Sequence, residues 1–278
     1  MCDGGFRSDP GVMLQRARGV LSLGFRRRGA ASVLADLRQE GCLKARFPRP
    51  HGGMEAVTLN TSGGVAGGDV LRLSVQLAEG AAVTIASQAA ERFYRALPDD
   101  PPASLRTDII LGGAATLDWL PQEAILFDGC ALDRRLNVDM AADASFLGIE
   151  TLVFGRAAMG ELVRGARLAD TIRVRRAGAL ILHDAIRLPE GVDAALARPA
   201  IAAGARAMAT MLLVAADAAS RLDPLRAALA AQQAGASAWN GMLLARILAP
   251  DAATLRRAVI AALECLRDGR APPRVWMC

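Results

Sequence analysis

Residues 59–97 read LNTSGGVAGGDVLRLSVQLAEGAAVTIASQAAERFYRAL. Gly63, Gly64, Gly67 and Gly68 form a cluster that ends on Asp69. A strict alternation follows, with Leu71, Leu73, Val75 and Leu77 apolar and Arg72, Ser74 and Gln76 polar. That period of two belongs to a strand with one buried face. The glycine cluster therefore feeds a strand, whereas a nucleotide-binding loop runs from a strand into a helix.

The same reading extends along the chain. Short strand patterns fall at 21–25, 45–47, 57–60, 70–78, 82–87, 105–111, 115–120, 132–140, 146–153, 166–174 and 180–188. Turn signals separate them at Glu79-Gly80, Gly112-Gly113, Asp128-Gly129 and Ala177-Gly178. Many short strands joined by tight turns predict a mainly β core. The last third changes character. Residues 222–234 are alanine-rich with Leu222, Leu225 and Leu229 on one face, which predicts a helix. Asn240-Gly241 marks a hairpin, and Asp251 is placed to cap a second helix to about residue 267. Residues 1–18 are polar and aperiodic and read as a loose tail, leaving 19–278 as one domain.

Composition bounds the function. The chain has 278 residues, 53% of them hydrophobic, and a net charge of +5. Lys44 is its one lysine, so the basic charge is carried almost wholly by arginine. The basic residues are interspersed with acids and aromatics are sparse, which argues against a nucleic-acid partner. The longest apolar run, 207–216, is far short of the ~20 residues of a membrane helix. Cys2, Cys42, Cys130, Cys265 and Cys278 are scattered without a CxxC pair, and the start has no apolar signal core. Both features suggest a cytoplasmic protein with free thiols.

The usual chemical motifs are missing. Asp69 stands where a phosphate loop needs Lys and Ser or Thr. His51 and His183 are the only histidines, and the strand pattern sends His183 and Asp184 to opposite faces. No GxSxG surrounds a serine. Two isolated histidines and scattered cysteines make no recognisable tight zinc or nickel site. A carboxylate-based hydrolase in a β-rich cleft is the alternative enzymatic reading, against which the aromatic content of 4% weighs.

The opening stretch closely resembles the urease accessory protein UreD (UreH) family. So do LDWLPQEAILFDGCALDRRLNVDM at 117–140, ASFLGIETLVFGRAAMGE at 144–161 and PPRVW at 272–276. The resemblance implies a layered right-handed helical β arrangement with a few C-terminal α-helices. It also implies a non-enzymatic maturation factor that binds urease apoprotein and UreF, and through UreF the GTPase UreG. The complex delivers Ni²⁺ to the urease active site, so nickel is in transit and no cofactor is tightly bound. Carboxylates suit such passage, because oxygen ligands hold a divalent ion weakly. The expected path is Asp69, Glu91, Glu123, Asp128 and Glu150. The competing expectation is that such carboxylates, with Asp143 and Glu161, form salt bridges to arginines such as Arg92, Arg95, Arg135 and Arg156. A plain scaffold without a metal role is the remaining reading. Trp276, apolar and near the chain end, is expected to dock onto the body.

Overall fold

The computed structural model describes residues 15–48, 53–156, 159–189 and 191–277. Expectations concerning His51, Cys2, Cys278 and the first part of the tail lie outside them. Two mixed sheets carry the chain. Sheet A is ordered β14 (Ala179–Leu188), β13 (Arg167–Arg176), β11 (Ala131–Met140), β8 (Ala103–Leu111), β5 (Val70–Leu77), β1 (Arg18–Arg28) and β2 (Ala31–Gly41). Sheet B is ordered β16 (Gln233–Trp239), β17 (Met242–Ala249), β15 (Ala207–Val214), β12 (Ser145–Phe154), β9 (Thr116–Leu120), β6 (Ala82–Ser87), β4 (Met54–Asn60) and β3 (Leu43–Arg46). The short strands β10 (Ala124–Leu126) and β7 (Glu91–Phe93) extend it beside β12.

From β4 onward the chain alternates between sheets. β4, β6, β9 and β12 lie parallel in sheet B, and β5, β8, β11 and β13 lie parallel in sheet A. Parallel neighbours need a crossover, and here each crossover is a strand of the opposite sheet. The outcome is the layered, helically wound, mainly β architecture that the resemblance implied. Antiparallel hairpins close the coil at its ends, β1–β2 and β13–β14 in sheet A and β15–β17–β16 in sheet B.

Three layers result, because α2 (Leu222–Ala228) and α3 (Ala252–Leu266) cover the far side of sheet B. Leu255, Val259, Leu263 and Leu266 of α3 pack against Leu147, Ile149, Met211 and Ile247. Asp251 caps α3 by accepting the Thr254 N–H at 2.7 Å, as its position predicted. Sheet B is thus covered on both faces, and β12 and β15 are buried almost throughout. That explains the apolar run at 207–216, whose first eight residues are β15.

The predicted helix at 222–234 is a correction. It stops at Ala228, and Gln233–Trp239 pairs with β17 through the Asn240-Gly241 turn. Both turn residues have positive φ, 50° and 70°, which this pair tolerates. Ladder pairing outweighs the modest helix preference of alanine there. The strand patterns also passed over β2, β7, β10 and α1 (Val192–Ala197), which are short or largely exposed.

The chain end is docked as expected. Trp276 is 2% exposed and its indole N–H donates to the Leu120 carbonyl at 3.0 Å. Arg256 of α3 lies over its ring at 5.2 Å. Trp276→Ala removes this buried anchor and leaves a cavity, so a loss of about 3–5 kcal/mol is expected in denaturant unfolding. An unchanged midpoint would show that the chain end is not part of the cooperative core.

Candidate functional site

The core between the sheets is interrupted. One apolar cluster contains Leu21, Ile85, Trp119 and Leu136, and a second contains Leu71, Phe93, Leu132 and Leu152. Where they meet lies a cavity of about 300 Å³. Its lining includes Leu73, Leu105 and Thr107 from sheet A, and Asn60, Trp119 and Glu150 from sheet B, with Glu91 at the edge. Arg134 enters from β11.

Strand alternation puts Arg134 here. Leu132, Leu136, Val138 and Met140 share its inward face. Asp170 stands opposite it in the β11–β13 register, inward between Leu168 and Ile172. The guanidinium donates to both Asp170 oxygens, at 2.9 and 2.7 Å, and its remaining arm reaches Glu150 at 2.6 Å across the sheets. The other Glu150 oxygen accepts the Trp119 indole N–H at 3.0 Å. Burial alone disfavours the Arg134 charge, but Asp170 and Glu150 outweigh it and hold the guanidinium more firmly protonated. Burial pushes the Glu150 carboxyl up, while Arg134 pulls it down.

Glu91 differs. Burial pushes its carboxyl up, opposed by the Asn60 amide, which donates at 3.1 Å. Among the described residues it makes no salt bridge, so it is the cavity carboxylate without a fixed cation. A second, more open pocket adjoins at Gly64 and is lined by Asp69, Cys42 and Tyr94. Gly64 has φ of 137°, and a Cβ there would stand 2.3 Å from the Tyr94 ring, so only glycine fits this wall. Asp69 accepts the Ala17 and Ala66 N–H groups at 2.7 and 2.8 Å, so it caps the glycine turn and ties down the start of β1.

The remaining predicted carboxylates lie elsewhere. Glu123 is 2.9 Å from Arg256 and faces α3. Asp128 accepts the Arg164 and Gly165 N–H groups at 2.8 Å each and pairs with Arg95, and the Gly165 bond leads in holding its carboxyl below the usual range. Glu161 pairs with Arg156 at 2.8 Å, and Asp143 is exposed. Arg135 pairs with Asp133 rather than with any predicted site residue. Sequence reasoning missed Arg134 and Asp170, and also the buried Asp118–Arg267 pair at 2.9 Å between sheet B and the segment after α3. Among the described residues, no three His, Cys, Asp or Glu side chains gather into a metal-binding group. No helix among them is long and apolar enough to cross a membrane. His183 is exposed on β14, and Asp184 turns the other way to meet Arg246 at 2.5 Å.

Two mixed β sheets thus enclose a cavity that carries Arg134, Glu150 and Glu91. Comparison with known proteins gives the family. The family model described as UreD urease accessory protein matches residues 17–277. The chain is 46% identical to the urease accessory protein UreD of Xanthobacter autotrophicus, over 98% of this chain and 97% of that one. It is 46% identical to the protein of that name from Methylobacterium sp. strain 4-46, over 94% and 95%. For Rhizobium leguminosarum bv. trifolii the identity is 41%, over 96% and 97%. The chain belongs to the UreD urease accessory protein family.

The raised Glu91 carboxyl sets a sign for pH dependence. The folded state holds this proton more tightly than the unfolded chain, so the contribution is fully present below the ordinary value of 4.5 and is lost as pH rises through the raised one. Glu91→Gln cannot titrate. Its melting temperature relative to wild type is expected to grow more positive between about pH 4 and about pH 8. A constant difference would mean that Glu91 is not desolvated.

Proposed function

We propose that this chain is a maturation scaffold that binds urease apoprotein and UreF, and through UreF the GTPase UreG, and gives Ni²⁺ a passage toward the urease active site. Membership of the UreD family supports a role in urease maturation. The observation that carries the finer reading is Glu91, a carboxylate in a cavity between two sheets that is held by the Asn60 amide and makes no salt bridge among the described residues. Glu150 shares that cavity, and Asp69 lines the pocket that adjoins it at Gly64. Isolated oxygen ligands suit an ion that must leave again, since a closed multidentate site would retain it. Arg134 keeps Glu150 from becoming a trap by occupying one of its oxygens. In this proposal Glu91, Glu150 and Asp69 line the route. Glu123 and Asp128, held by Arg256 and by loop N–H groups, fix its walls.

The experiment is co-expression with cognate UreF and urease apoprotein, size-exclusion chromatography, then urease activation at limiting nickel. Wild type is expected to co-elute with both partners. Glu91→Ala is expected to co-elute equally but to slow activation by about tenfold, the scale of losing one supporting group at a metal site. A wild-type chain that ignores both partners overturns the scaffold. A Glu91→Ala complex that activates normally removes the nickel passage and leaves the scaffold standing.

A further inference from the structure

Sheet B is covered on both faces, but among the described residues no helix or strand covers the outer face of sheet A. Along β5, β8 and β11 the outward positions are mostly polar, with Arg72, Arg106 and Arg135 among Asp108, Asp133 and Asp139, while the inward ones, Arg134 apart, build the core. The strand registers set Arg72 opposite Arg106 and Arg106 opposite Arg135, so three adjacent parallel strands present arginine in one row. At strand spacings of about 4.8 Å the row is about 10 Å long.

Like charges directly opposite each other on a sheet destabilise it. Little inside the chain relieves this row. Arg135 is held by Asp133 at 2.9 Å, but Arg72 and Arg106 form no salt bridge among the described residues. Exposed Arg173 on β13 and Arg187 on β14 continue the positive face toward the sheet edge. The repulsion is relieved when carboxylates arrive from outside.

We propose that this face docks an acidic protein surface, with Arg72 and Arg106 as the free guanidinium anchors. Two features favour a protein over a nucleic acid. Asp133 and Asp108 flank the row, which repels a continuous phosphate backbone but gives a register to a discontinuous pattern of carboxylates. Ile110, outward on β8 and 53% exposed, adds an apolar contact on the same face about 13 Å along the strand from Arg106, the composition of a protein interface. Arg106 also borders the internal cavity, but strand alternation turns its side chain away from Leu105 and Thr107, so the proposal does not depend on nickel passing there.

The test uses the full chain and two labelled probes, an oligoglutamate peptide and a duplex DNA, in fluorescence anisotropy at low and high salt. Wild type is expected to bind oligoglutamate at low salt and to lose it as salt rises. Arg72→Glu/Arg106→Glu should weaken that binding by about tenfold or more, the scale of reversing interfacial charges. Arg257→Glu, on α3 across the molecule, should leave it unchanged. Arg72→Gln/Arg106→Gln should bind at an intermediate level and melt no lower than wild type, which separates lost docking from lost folding. Failure of wild type to bind oligoglutamate, equal binding by the charge-reversed variant, or tighter binding of DNA through the same arginines would each overturn the proposal.

Discussion

Arg134 is the constraint around which the two sheets are organised. It points into the space between them, where Asp170 from its own sheet and Glu150 from the facing sheet hold its guanidinium. A buried ion pair of this kind contributes little net stability, because desolvation offsets much of the attraction. Its effect is geometric. It fixes β11 against β12 at one point, and the apolar core divides on either side of it into two clusters. The cavity lies at this charged crossbar, with Arg134 and Glu150 in its lining.

The fold was largely legible in the sequence because its strands carry their period plainly. Leu71 to Leu77 and Leu136 to Met140 alternate cleanly, since sheet A has one wet face. Legibility failed where that asymmetry fails. β15 is buried on both faces and reads as a plain apolar run, and β16 is alanine-rich and defined by its partner across the Asn240-Gly241 turn. The site was legible in part. Glu91 and Glu150 do share a cavity, but the expected route also included Glu123, which meets Arg256, and Asp128, which anchors a loop. The residues that matter most to the cavity left a signal that went unread. Arg134 and Asp170 each interrupt an apolar file on a strand, and a charge in an inward register position must have a buried partner.

The molecule has two kinds of polar surface, and they suit different tasks. Inside, Glu150 is held by Arg134 and Trp119, while Glu91 is held by the Asn60 amide and makes no salt bridge among the described residues. Outside, among the described residues, Arg72 and Arg106 form no salt bridge on a face they share with Asp108, Asp133 and Asp139. The helices on the opposite side keep sheet B dry and rigid, and Trp276 and Arg256 fasten that layer to the strand ends near the cavity.

The most direct test of this account is the unfolding free energy of Arg134→Met beside that of Arg134→Met/Glu150→Leu/Asp170→Leu. Removing Arg134 alone leaves two buried carboxylates uncompensated, for which a loss of about 3–5 kcal/mol is expected. The triple variant removes the charges together and should recover most of that loss. If Arg134→Met unfolds at the wild-type midpoint, the crossbar does not hold the sheets in register, and the division of the core has another cause.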